Sequence, residues 1–217
     1  MNPREQRYGI ASAHGIPGTL GCLARKADGR QVFITNQHVV FAAGTLPGDP
    51  IWRIRKTPGG QKKILLGRLI GGRIGMVGYE GKNYHVDAAI GSIDGMDTTD
   101  DFAPGTGYNS WTWAVVGSRV SKNGYASGRT QGIVVDVAHT ERASVNGVSF
   151  IMENQLLIRP LTESRAPSSF CEKGDSGAMI EDEAGRAIGL LWGRNHRGEG
   201  LASPIGPVLE ALGIALM

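Results

Sequence analysis

Along this chain, short runs rich in apolar and β-branched residues recur at strand length, broken by glycine and polar turns. That rhythm predicts β-strands rather than helices. GTLGCLAR (18–25) and QVFITN (31–36) flank KADG, where Asp28-Gly29 signals a hairpin. KILLGRLIG (63–71) and HVDAAIGSI (85–93) follow, and then GMDTTDDFAPGTGYNS (95–110), acidic and without periodicity, reads as a linker. Beyond it the rhythm resumes in TWAVVG (112–117), QGIVVDVAH (131–139), SFIMENQLLIRP (149–160), GAMIEDE (177–183) and RAIGLLWG (186–193). Only the tail PVLEALGIAL (207–216) has helical spacing, with Val208, Leu209, Leu212 and Ile214 on one face. The pattern predicts two halves of short antiparallel strands, about 15–95 and 111–205, closed by a C-terminal helix over 206–217. Curling each half into a barrel would remove its exposed edges.

Composition narrows this picture little. The chain has 217 residues, 41% of them hydrophobic and 20% charged, enough for one domain or two small subdomains. The 33 glycines fit an all-β chain with many tight turns. A net charge of +3 is too weak to imply a nucleic-acid partner. The basic residues Arg53, Arg55, Lys56, Lys62, Lys63, Arg68 and Arg73 cluster between 52 and 74. Alternation of Arg53 and Arg55 with Trp52 and Ile54 reads there as the solvated face of a strand. Two cysteines, Cys22 and Cys171, are expected as free thiols. No apolar run approaches the roughly 20 residues of a membrane span, and the first fifteen residues lack the apolar core of a signal peptide. A cytoplasmic protein with no membrane partner is the expectation.

The candidate chemistry sits in FCEKGDSGAMI (170–180). A serine hydroxyl becomes a nucleophile only when an imidazole takes its proton and a carboxylate orients that imidazole. The oxyanion that forms then needs preplaced N–H donors. GDSG can supply those donors through the amides of Gly174 and Ser176. Of the five histidines, His38 in FITNQHVVFAAG is the best base, held at the end of an apolar strand. His14 and His196 read as solvent-exposed loop residues, as does His139 at a strand end. Asp87 in YHVDAAIGSI is either a turn cap or a buried functional charge. Asp94 competes with it, whereas Asp97, Asp100 and Asp101 fall in the linker.

TNQHVV, VDAAI and GDSGAMI, in the order His38, Asp87, Ser176, resemble the trypsin-like (chymotrypsin-fold) serine peptidases. That chain order separates the family from the subtilisin and α/β-hydrolase orders. VSKNGYASGRTQGIV (120–134) resembles the opening of the second barrel in compact bacterial members, and the similarity runs from about residue 17 to 213. The resemblance implies an all-β fold of two six-stranded antiparallel β-barrels with a short C-terminal helix. It implies a serine endopeptidase in which His38 is general base and then acid, Asp87 its orienting partner and Ser176 the nucleophile. Gly174 and Ser176 would form the oxyanion hole. Leu191, Trp192 and Gly193 match the strand that pairs with substrate and walls the specificity pocket, and Phe170 falls at the pocket base.

The chain also departs from that family. Val39 stands where a disulfide partner would follow the histidine. No Arg-Ile-Val-Gly-Gly-like activation site occurs, so Asp175 must find a partner other than a freed amino group. A backbone or tryptophan N–H would serve; without one the oxyanion loop is poorly formed. The alternative is therefore a dormant protease-fold binding or scaffold module, or a protease switched on by an activating protein partner. Phe170 points to an uncharged or small side chain at the scissile position, while Glu172 and Glu199 would favour Lys or Arg. The expected partner is a protein or peptide substrate. No metal-ligand spacing and no phosphate-cradling motif is present in the sequence, so no cofactor or metal is expected.

Overall fold

A computed structural model describes residues 8–13, 15–41, 44–57, 59–94, 107–145, 148–161 and 169–217. His14 and most of the expected linker, residues 95–106, lie outside the described residues, as do Asp97, Asp100 and Asp101.

The first half holds β1 (Gly9–Ser12), β2 (Gly18–Thr19), β3 (Cys22–Lys26), β4 (Gln31–Thr35), α1 (Gln37–Val40), β5 (Pro50–Thr57), β6 (Gly60–Tyr79) and β7 (Lys82–Ser92). The second holds β8 (Arg119–Gly124), β9 (Gly128–Val145), β10 (Val148–Pro160), β11 (Met179–Asp182), β12 (Ala187–Arg194) and β13 (Gly200–Pro204). The chain ends in α2 (Ile205–Leu212) and β14 (Ile214–Leu216). The second half closes as a six-stranded barrel in the order β10-β13-β12-β11-β8-β9. The first is an eight-stranded sheet in the order β14-β3-β4-β7-β6-β5-β1-β2. Its two ends are joined by the chain itself. β2 pairs with β1 and, two residues on, β3 pairs with β4. The Gly21 N–H, at the bend between them, already donates to the Ile34 carbonyl at 2.9 Å. Counted as one bent strand, β2 and β3 complete a ring of six, with β14 added outside β3.

Each half has its own apolar filling. Phe33 is fully buried in the first, its ring lying on Gly91, where a Cβ would come within 2.2 Å of it. Burying a side chain of that size stabilises by about 1.5–3 kcal/mol. Val134, Leu156, Ile158, Ile180 and Leu191 fill the second barrel. Between them, α2 packs Val208 and Leu209 against Val86, Ala88 and Leu190, so the terminal helix seals the seam.

Three expectations need correction. The stretch 112–117 forms no strand; only Trp111 makes an isolated bridge, to Ala187. Val115 and Val116 are left exposed at a turn that Gly117 closes at φ 91°. The terminal helix ends at Leu212 rather than running to 216, because Gly213 takes the left-handed conformation (φ 60°) that stops it. Ile214 is buried instead in the strand that pairs with Lys26. Arg53 is not solvated: it is 7% exposed, and its guanidinium sits 5.4 Å from the Tyr8 ring centre.

Candidate active site

His38 lies in the single turn α1 that follows β4, and Asp87 lies in the middle of β7, the next strand of the sheet. Asp87 is almost wholly buried, at 2% exposure, so its carboxylate needs donors. His38 supplies two. Its backbone N–H donates to Oδ1 at 3.2 Å, and its ring Nδ1 is in close contact with Oδ2. The preceding Asn36 donates its side-chain amide to the Asp87 carbonyl at 2.6 Å. The carboxylate thus grips the helix turn and the imidazole together, leaving the other ring nitrogen outward. Of the two readings of Asp87, the buried charge describes it better than a turn cap.

Ser176 occupies the turn between the two halves. Its carbonyl accepts the Thr19 N–H at 2.7 Å, and Gly18 is wedged between this carbonyl and Val39. A Cβ on Gly18 would lie 2.6 Å from Val39 and 2.9 Å from the Ser176 oxygen, so the serine turn is seated directly against α1. The Ser176 hydroxyl donates to the Trp192 carbonyl at 3.2 Å, and no hydrogen bond joins it to His38. Trp192 and His38 both line one cavity of about 390 Å³, which also touches Asp87, Phe150, Met152 and Arg194. Trp192 therefore touches both, through its carbonyl to the hydroxyl and through the cavity lining to the imidazole.

The turn around Ser176 has the shape of an anion cradle. Gly174 and Gly177 take φ of 106° and 95°, values open to glycine. Among the described residues, the N–H groups of Gly174 and Ser176 have no protein acceptor, whereas their neighbours Asp175 and Gly177 donate to Glu172 and Leu191. Such a pair of uncommitted donors in one turn can hold a developing negative oxygen.

Asp175 is fully buried, and the residue that holds it is Lys122. The Lys122 Nζ lies 2.8 Å from Oδ2, with both side chains at zero exposure. The N–H groups of Ala126, Ser127 and Glu172 add bonds of 2.9, 3.0 and 2.9 Å to the carboxylate. Lys122 also donates to the Gly128 carbonyl at 3.0 Å. Burial pushes the Asp175 carboxyl up, but the Lys122 charge, with hydrogen bonds from Lys122, Ser127 and Glu172, outweighs it and holds the group below its ordinary value. The expected backbone donors are present. The expected tryptophan N–H is not: Trp192 Nε1 donates instead to Gln155 at 2.8 Å.

No family model and no curated protein matches the chain in sequence. Solved structures match nearly its whole length. The Nocardiopsis protease NAPase, 18% identical, superimposes with a TM-score of 0.59 over 97% of this chain and 96% of its own. A glutamic-acid-specific serine protease, described as using a histidine triad in substrate binding, is 19% identical, with a TM-score of 0.60 over 96% of this chain and 97% of its own. The chymotrypsin of Cellulomonas bogoriensis, also 19% identical, gives 0.55 over 98% and 96%. The chain has the chymotrypsin fold.

Within this chymotrypsin fold the remaining site candidates take definite places. Phe170 is fully buried, and Leu191 spends its backbone on the serine turn, donating to Ala178 and accepting from Gly177. Trp192 and Gly193 line the cavity. Both cysteines are free and buried, and burial pushes each thiol up to about 12. A thiol so held stays protonated, which argues against Cys171 as a nucleophile. His196 rims the cavity, His85 accepts the Glu153 N–H at 3.2 Å, and His139 faces Asp136 and Glu141. Asp94 lies near Arg68 on the surface. Among the described residues no helix is long and apolar enough to cross a membrane, and none of their His, Cys, Asp and Glu groups could hold a metal ion.

Sequence reasoning missed Lys122, Asn36 and Gln155. Lys122 carries no sequence signal: RVSKNG is mostly polar, and only the fold shows that Val120, Ser121 and Lys122 are all buried. Asn36 and Gln155 carry no mark either, since a buried amide looks like any polar residue at a strand end.

Proposed function

We propose that the chain is a serine endopeptidase, with Ser176 as nucleophile, His38 as general base and then acid, and Asp87 holding His38. The observation that carries this reading is the buried Asp87 carboxylate, bound to both the backbone and Nδ1 of His38. That contact fixes the tautomer with the proton on Nδ1, so Nε2 faces the cleft as a base. For attack, the Ser176 hydroxyl leaves the Trp192 carbonyl by rotating about its Cα–Cβ bond and gives its proton to His38. The substrate carbonyl oxygen becomes anionic against the Gly174 and Ser176 amides, and His38 then returns the proton to the leaving amine. Water hydrolyses the acyl-enzyme by the same steps in reverse roles. The internal Lys122 supplies the cation that Asp175 needs, so the serine turn is held without a freed amino terminus and no proteolytic maturation is required.

A fluorophosphonate, which phosphonylates only an activated serine, tests this directly. Labelling of the wild type at pH 8 and loss of labelling in Ser176→Ala is the expected result. One observation favours a second reading, a protease switched on by a protein partner: the Ser176 hydroxyl rests on Trp192 and not on His38. Labelling that appears only when a candidate partner is added would select it.

A further inference from the structure

A peptide whose carbonyl sits on Ser176 has two places for its side chains. One is the slot between residues 169–172, which lead into the serine turn, and residues 193–200 facing them. The other is the cavity beside His38, which Trp192 and residues 193–196 of the slot's own wall also line. The slot is shut. The Phe170 ring fills it from below, so close to Gly200 that a Cβ there would come within 2.3 Å of the ring. Above the ring, the Cys171 thiol donates to the Gly193 carbonyl at 3.3 Å. Arg194 then crosses the mouth, donating from Nη1 to both Ser169 Oγ and Glu172 at 3.1 Å. Phe170 N–H and Ser169 Oγ add bonds to the Gly198 carbonyl at 2.9 and 3.3 Å. The two walls are therefore stitched from floor to rim. The cavity, by contrast, is open, and its lining mixes Phe150 and Trp192 with the charged Glu141, Arg142 and Arg194.

Resting on the peptidase reading above, we infer that the enzyme cleaves after residues with side chains no larger than a methyl or hydroxymethyl group. A leucine, phenylalanine, lysine or glutamate at the scissile position would have to expel the Phe170 ring and break the Cys171 and Arg194 bonds. Even one methylene misfit in a pocket costs about 10–200-fold in discrimination.

The test is a panel of acyl-peptide thiobenzyl esters, identical except for Gly, Ala, Leu, Phe, Lys or Glu at the acyl residue. The Ala ester is expected to exceed those of Leu, Phe, Lys and Glu by at least about tenfold in kcat/KM. Phe170→Ala should narrow the Ala-to-Leu gap by about tenfold or more, and Phe170→Val should narrow it too, keeping an apolar filling should the first fail to fold. Any of the four larger esters matching Ala in the wild type overturns the inference, as does an unchanged gap in a folded Phe170 variant. Failure of every ester on protein that a fluorophosphonate labels overturns it too. Loss of the label itself sinks the peptidase reading instead, so the two failures are distinguishable.

Discussion

Two buried aspartates flank the same serine, and they are held in different ways. Asp87 faces His38, whose side chain is 24% exposed at the cleft; Asp175 faces Lys122, which is not exposed at all. An imidazole can give and take a proton near neutral pH, whereas a sealed lysine paired with a carboxylate keeps its charge. On the peptidase reading, the first pair moves a proton and the second holds a loop still. The difference lies in the partner and its access to water, since both carboxylates are buried and both accept backbone N–H bonds.

Removing the charge from the working pair should have the largest effect on rate. Asp87→Asn keeps the shape but can present its amide N–H to Nδ1, which turns the His38 proton to the wrong nitrogen. Loss of about 10⁴ in kcat is expected, with the thermal midpoint changed far less. A variant with near-normal kcat would show that the Asp87–His38 contact is structural.

The holding pair should respond the other way round, in stability first. Lys122→Met leaves the Asp175 carboxylate buried without its cation, a cost of about 3–5 kcal/mol, which urea denaturation would measure. Adding Asp175→Asn should recover most of it. The pH dependence carries the sign. In the wild type the folded Asp175 pKa is lowered, so its contribution is present above the ordinary carboxyl value of about 3.9 and is lost as pH falls through the lowered value. In Lys122→Met the largest opposing influence, burial, is left with less against it. The gap to wild type should therefore narrow on acidification. A gap that stays constant from neutral to acid pH would mean that Lys122 acts through packing and not through its charge.

How much of this was legible in the sequence follows from the same contrast. His38, Asp87 and Ser176 stand out because each carries reactive chemistry in a distinctive apolar or glycine setting. Strands such as 31–35 and 187–194 show their apolar runs directly. β1 and β13 are short and glycine-bearing, and their pairing depends on residues far away in the chain. Gly213 looked like part of a helical repeat, because apolar spacing alone does not register the backbone conformation that ends it. Lys122 was hidden by the usual expectation that a lysine faces water. Its partner lies 53 residues on, so only the fold brings the two charges together.

A third pair isolates what burial contributes. Asp28 and Arg30 meet at 2.6 Å in the hairpin between β3 and β4, closer than Lys122 and Asp175 at 2.8 Å, yet their side chains are 46% and 69% exposed. Hydrogen bonds from the Arg30 side chain and backbone lower the Asp28 pKa to about 2. In both pairs the carboxyl is held below its ordinary value. Water screens the Asp28–Arg30 pair, however, and the turn keeps two backbone bonds of its own, Gly29 N–H to Lys26 and Lys26 N–H to Arg30, both 2.9 Å. Asp28→Asn should therefore leave the urea midpoint unchanged within error at pH 7, although NMR titration of the wild type should find the carboxyl ionised down to acid pH. If Asp28→Asn destabilised the protein as much as Lys122→Met, burial would not be what separates a holding pair from a surface one.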